Sequence, residues 1–255
     1  MRRTPAALIA PAALAVAFLV LPLVGLVVKA PWRSLPRLLR GTEVLQALRL
    51  SLVTASLATL LSLLLGVPLA WVLARSALPG RRLLRSLVTV PLVLPPVVGG
   101  VALLLVLGRN GLLGAPLHLS LPFTTAGVVV AETFVAMPFL VVTVEGALLG
   151  ADRRYEEAAA TLGASRWMVF RRVTLPLIVP GLAAGTVLCW ARALGEFGAT
   201  ITFAGSYPGV TRTMPVAVYL ALETDPEAAV AMSLVLLAVS LAVLVGLRQR
   251  WLTAP

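Results

Sequence analysis

The sequence predicts an all-α, polytopic membrane protein with six transmembrane helices. Three observations carry that prediction. Of the 255 residues 60% are hydrophobic, and the mean hydropathy is +1.01. Only 12% are charged, about half the share usual in soluble domains. The apolar residues also fall in six runs, each long enough at ~1.5 Å per residue to cross a hydrocarbon core of about 30 Å thickness.

The runs are Ala6–Val28, Leu50–Ala74, Leu87–Leu107, Thr124–Leu149, Leu177–Phe203 and Ala228–Leu247. Arg2 and Arg3 ahead of the first run resemble the start of a signal peptide, with Val28-Lys29-Ala30 as a cleavage site. The apolar region of a signal peptide spans about 7–15 residues, shorter than this run, so a retained helix is expected. Lys and Arg set the orientation. With the N-terminus inside, inner segments carry thirteen basic residues, including Arg75, Arg81, Arg82, Arg85, Arg153, Arg154, Arg166, Arg171 and Arg172; outer segments carry seven. Both termini are therefore expected in the cytoplasm. Five of the outer seven precede the second run, where LPRLLRGTEVLQALRL reads as an interfacial amphipathic helix with snorkelling arginines. The chain divides into an N-terminal helix and outer loop (1–49), a five-helix core (50–247) and a tail (248–255).

Composition also excludes. The formal charge of +11 invites a nucleic-acid reading, but the basic residues sit in short clusters between apolar runs, as at a membrane face; no nucleic-acid partner is expected. One cysteine, Cys189, rules out an internal disulfide, and with one histidine, His118, a zinc site is not expected. The single lysine, Lys29, lies in VVKAP. A phosphate-binding Gly-x4-Gly-Lys-Ser/Thr loop cannot be written, so no bound cofactor is expected. If ATP is used by such a loop, another chain hydrolyses it.

Within the runs, several residues are out of character. Pro91, Pro95 and Pro96 break the hydrogen-bond ladder of the third, either lining a pathway or kinking for packing. Gly181-x3-Gly185 permits close helix approach, within the chain or across an interface. Gly108 to Gly114 reads as an outer turn, with Arg109 able to attract an anion and His118 in a surface loop. Glu132 and Glu145 in the fourth run receive no role. Arg192 and Glu196 lie one helical turn apart in the fifth, where each ionisable group costs about 2.5–3.5 kcal/mol on insertion scales. On one helix face each partly neutralises the other, so the pair is expected to brace that span near a pathway or subunit interface, without binding a ligand.

The longest inner connection, GADRRYEEAAATLGASRWMVFRRVTLP (150–176), reads as two short helices. Asp152 caps the first, Glu156 and Glu157 suit its opening turns, and Gly163 ends it. Ser165 caps the second, and Pro176 and Pro180 mark the start of the fifth run. A face of alanines beside exposed Trp167 and Phe170 is either a docking element or a loop whose aromatics lie among lipid headgroups.

Glu157-Ala158-Ala159, Gly163 and Val173-x-Leu175-Pro176 reproduce the spacing of the EAA motif, with Val for the usual Ile, so the loop resembles that of ABC importer permeases. PLVLPPVVGG (91–100), GRNGLLG (108–114), LGEFGATITF (194–203) and TRTMPVAVY (211–219) narrow the resemblance to the molybdate permeases, in one subfamily with the sulfate and thiosulfate permeases; it covers roughly residues 45–247. The resemblance implies a type I ABC importer permease fold in the bacterial inner membrane. It implies an ATPase-contact element of Glu157, Ala158, Ala159, Gly163 and Pro176, to which Trp167 and Phe170 are added from bulk and position. It implies a second copy of the chain, two ATPase subunits that hydrolyse Mg-ATP and an extracytoplasmic oxyanion-binding protein. The substrate is then molybdate or tungstate, with sulfate as the alternative. A permeant dianion needs donors weak enough to release it; Thr200 and Thr202 beside Gly195 and Gly198, with Pro95 and Pro96, are the pathway candidates. An ion-coupled secondary transporter using Arg192 and Glu196 is the competing class. It leaves the EAA loop unexplained and lacks visible internal repeats.

Overall fold

The computed structural model describes residues 6–251. Twelve α-helices follow one another: α1 (Ala6–Val28), α2 (Leu35–Leu39), α3 (Thr42–Arg75), α4 (Arg81–Val93), α5 (Pro96–Leu107), α6 (Thr125–Gly150), α7 (Arg154–Thr161), α8 (Arg166–Val169), α9 (Leu175–Leu194), α10 (Gly198–Phe203), α11 (Met214–Thr224) and α12 (Pro226–Trp251). A π turn, Phe170–Thr174, joins α8 to α9. No strand occurs among the described residues. Arg2, Arg3 and the last four residues of the 248–255 tail lie outside them.

The core is the α3–α6–α9 trio. Ala55, Thr59, Ser62, Gly66 and Ala70 form a buried row of small residues along α3, and small faces let helix backbones approach closely. A Cβ added at Gly66 would lie 3.1 Å from Val141 Cγ2. On α9, an added Cβ at Gly185 would lie 3.2 Å from Thr143 and one at Gly181 would overlap Ala147. The Gly181/Gly185 pair therefore packs α9 onto α6 of the same chain. Leu140, Val141, Val144 and Leu148 fill the space between. Two intramembrane carboxylates of α6 are tied to neighbours. Glu132 accepts from Thr54 Oγ1 of α3 at 2.9 Å, and Glu145 Oε1 accepts from Arg85 Nε of α4 at 2.9 Å.

Five helical segments are long and apolar enough to cross a membrane, and a sixth arises if α4 and α5 are taken as one broken span. Three expectations change in detail. The third run is not a single helix: the chain turns through 117° between α4 and α5. Pro95 cannot donate to α4, and Pro96 opens α5, where proline's lack of an N–H costs nothing. The fifth run ends at Leu194, because Gly195 interrupts it and α10 starts afresh at Gly198. The outer amphipathic helix is also two pieces. Gly41 is extended (φ −58°, ψ 131°), separating the five-residue α2 from α3, whose first two turns absorb the rest of that stretch. Helix α11 had no counterpart among the six runs; its eleven residues are too short to span.

Candidate functional site

The 150–176 loop is built as its residues dictate. Asp152 Oδ1 accepts the Arg154 N–H at 3.0 Å, one residue ahead of the formal cap of α7. Gly163 takes φ +83° with open space around it. Glycine is thus needed there for conformation, not room. Ser165 Oγ accepts the Met168 N–H at 3.3 Å, opening α8. The second helix is not free-standing: through the π turn it runs on into α9, so Arg166–Leu194 is one 29-residue segment.

The loop is fastened to the last turn of α3. Arg75 Nη2 donates to Glu156 Oε1 at 3.0 Å, and Thr174 Oγ1 donates to the same oxygen at 2.9 Å. Arg153 Nη2 reaches the Ala74 carbonyl at 3.5 Å. Trp71, one turn before Arg75, meets Phe170 edge-on at 5.2 Å, and Phe170 stacks on Trp167 at 5.5 Å. Phe170 thus faces inward, toward α3. Trp167 is 68% exposed and Leu162 is 88% exposed; Glu157, Ala158, Gly163, Met168 and Pro176 are exposed with them, and Ala159 is half-buried. The outward surface is apolar and aromatic beside a row of arginines.

The second cluster lies where α9, α10 and α5 meet. Arg192 and Glu196 are not on one continuous helix, as their spacing suggests. Glu196 stands in the break, and its carboxylate is divided. Oε2 pairs with Arg192 Nη1 at 2.6 Å, while Oε1 accepts the Ala199 N–H at 2.8 Å and so caps α10. The side chain is 1% exposed. Thr202 Oγ1 donates back to the Gly198 carbonyl at 2.7 Å, so its proton is committed within α10. Its oxygen lies against Gly100 of α5, where any Cβ would overlap it. Thr202 is therefore a packing residue in this structure, not a free donor. Thr200 is fully buried, and its hydroxyl has no hydrogen-bond partner among the described residues. Pro95 and Pro96 sit at the α4–α5 break, and an added Cβ at Gly198 would lie 3.0 Å from Pro96 Cβ and 3.1 Å from the Val97 nitrogen. Pro95 and Pro96 carry no N–H and Gly99 donates to the Pro95 carbonyl at 3.1 Å, so Val97 and Val98 are the first-turn N–H groups of α5 without an acceptor in their own helix.

The chain is similar to known proteins. Residues 62–253 match the family described as "Binding-protein-dependent transport system inner membrane component". The chain belongs to that family. The "Molybdenum transport system permease protein ModB" of Mycobacterium bovis is 51% identical to this inner membrane component over 243 residues, covering 94% of the chain and 92% of the relative. The "Sulfate transport system permease protein CysT" of Escherichia coli K12 is 37% identical over 233 residues, covering 89% and 84%. Among solved structures, a bacterial ABC transporter that imports the acidic polysaccharide alginate superposes with a TM-score of 0.79 over 96% of the chain and 93% of the match, at 19% identity, which establishes the fold. The inner membrane component is thus an all-α permease of the type seen in ABC importers.

Within this permease, Glu157, Ala158, Ala159, Gly163 and Trp167 share one loop surface, and Arg192, Glu196, Thr200 and Thr202 share one helix junction with Pro95 and Pro96. Sequence reasoning missed Arg75, Glu156, Thr174 and Trp71 as a set. In the sequence Glu156 reads only as a residue suited to a helix start, and Arg75 only as an inner-loop charge. Their 81-residue separation leaves no local pattern.

Proposed function

We propose that this chain is the membrane-spanning permease of an importer that moves molybdate, or its close analogue tungstate, into the cytoplasm. Alternating access is driven by ATP hydrolysed in a separate subunit, and this chain binds no cofactor. Two copies form the pore, two ATPase chains dock on the 150–176 loops, and an extracytoplasmic binding protein delivers the anion. The loop then faces the cytoplasm, in line with its arginines, and both termini lie on that side.

The observation that carries the substrate is the gradient of similarity: 51% to a molybdenum permease against 37% to a sulfate permease, at comparable coverage. The loop geometry supports the coupling role. A surface fastened to α3 at several points transmits a rigid-body displacement that a slack loop absorbs. The pathway passes beside the α4–α5 break and α10, where the Val97 and Val98 amides and the Thr200 hydroxyl offer weak donors to a dianion. Arg192 and Glu196 hold that junction and do not touch the anion.

The test is reconstitution with the cognate binding protein and ATPase, followed by uptake of labelled molybdate in competition with tungstate and sulfate. Tungstate is expected to compete and sulfate to have little effect. Strong competition by sulfate at equal concentration overturns the molybdate assignment in favour of sulfate. Two different permease chains in the purified complex point the same way.

A further inference from the structure

The contacts between the loop and α3 carry a more specific assignment. Helix α3 runs unbroken for 34 residues, about 51 Å at 1.5 Å per residue, more than the hydrocarbon thickness. At its loop end, Trp71 and Arg75 stand on one face, four residues apart. Trp71 meets Phe170, and Arg75 meets Glu156. In its first half, nine residues after Thr42, Ser51 Oγ accepts the Met214 N–H at 2.7 Å, next to Thr54 and its bond to Glu132. One continuous helix, with Pro68 in its interior, therefore ties the loop to the segment that opens α11 on the other side of the bundle.

Glu156 is the element that closes this connection. Its Oε1 receives Arg75 from α3 and Thr174 from the π turn, so one carboxylate joins α7, the start of α9 and the end of α3. Arg75 is 8% exposed, Glu156 19%, and Thr174 is buried. Ion pairs shielded in this way are screened by salt less than surface pairs. The neighbouring Glu157 points outward and makes no such link. The two adjacent glutamates thus divide the work, one facing out and one facing in.

We propose that Glu156 is a positioning residue that locks the loop to α3, so that movement of the loop reaches the far end of the bundle through α3. The assignment rests on the loop being the ATPase-docking element. It adds that docking alone does not drive transport: the displacement must pass through the Arg75–Glu156–Thr174 joint.

The experiment uses the full complex with its ATPase and binding protein in vesicles. It measures molybdate taken up per ATP hydrolysed, together with the amount of ATPase that co-purifies. Glu156→Gln and Arg75→Gln are expected to retain the ATPase yet lower the uptake-to-hydrolysis ratio tenfold or more. Thr174→Val, which keeps shape and removes the second donor, is expected to lower it by a smaller factor. The exchanged pair, Arg75→Glu with Glu156→Arg, is expected to recover part of the loss, which a residue needed only for folding does not do. A wild-type ratio in both Glu156→Gln and Thr174→Val overturns the proposal. Loss of the ATPase from Glu156→Gln overturns it as well, because Glu156 is then part of the docking surface. If the wild-type chain retains no ATPase, the docking reading itself fails, and the joint falls with it.

Discussion

Glu196 holds Arg192 with one carboxylate oxygen, at 2.6 Å, and the N–H of Ala199 with the other, at 2.8 Å. One side chain thus caps α10 and pairs with the cation in the last turn of α9. Glu196→Gln keeps an oxygen for Ala199 but loses the ion pair; Glu196→Ala loses both. The alanine variant is expected to destabilise by about 1.5–3 kcal/mol, the range for hydrogen bonds to charged groups, and the glutamine variant by less. Thermal unfolding in detergent gives the order. A glutamine variant that assembles and transports like the native chain removes the bracing role.

Gly100 and Gly146 separate space from conformation. Alanine at 100 overlaps Thr202 and comes 2.9 Å from the Ala199 carbonyl oxygen, whereas alanine at 146 meets nothing within 4 Å. Gly100→Ala is expected to cost about 1–3 kcal/mol by overpacking and to reduce uptake by parting α5 from α10. Gly146→Ala is expected to be neutral or stabilising by up to about 1 kcal/mol from helix propensity. Similar melting temperatures for the two variants contradict the α5–α10 contact.

Arg85 and Glu145 join α4 to α6, with the carboxylate buried and the guanidinium partly exposed. Removing the cation alone leaves a buried charge without its partner, which is costlier than removing both. Arg85→Ala is therefore expected to be more damaging than the double variant Arg85→Ala/Glu145→Ala. A double-mutant cycle on unfolding free energy measures the coupling; additive losses mean that the pair contributes nothing specific.

Trp167 is the largest exposed aromatic of the loop, backed by Phe170 and through it by Trp71. Supported aromatics of this kind dominate protein interfaces. Trp167→Ala is expected to weaken retention of the ATPase tenfold or more while leaving the permease's own melting temperature nearly unchanged. Titration of purified ATPase against permease in nanodiscs checks both halves of that expectation.

The bundle was legible because the membrane forces long apolar runs, and six such runs appear in order. The breaks were less legible. Pro95 and Pro96 marked one, but proline alone does not say whether a helix bends by 20° or turns through 117°. The end of α9 was hidden because Gly195 looks like any small membrane residue until Glu196 is seen capping a new helix. Loop caps were readable at Asp152, Gly163 and Ser165, since capping is local chemistry. The Arg75–Glu156 joint and the Thr54–Glu132 bond were not, because each joins residues about 80 positions apart, and no periodicity reports such a pairing.

The π turn at Phe170–Thr174 has the arithmetic of an insertion. A π turn carries one residue more than an α turn, and one residue in an α-helix is worth about 100° of rotation. Deleting Arg171 or Arg172, both exposed, would let the segment relax into plain α-helix. Everything before it would swing by that angle, carrying Phe170 off Trp71 and the loop surface off its bearing. The fixed count of residues between Gly163 and Pro176 therefore acts as a gauge of angle: a gap or an extra residue there is a larger change than almost any substitution.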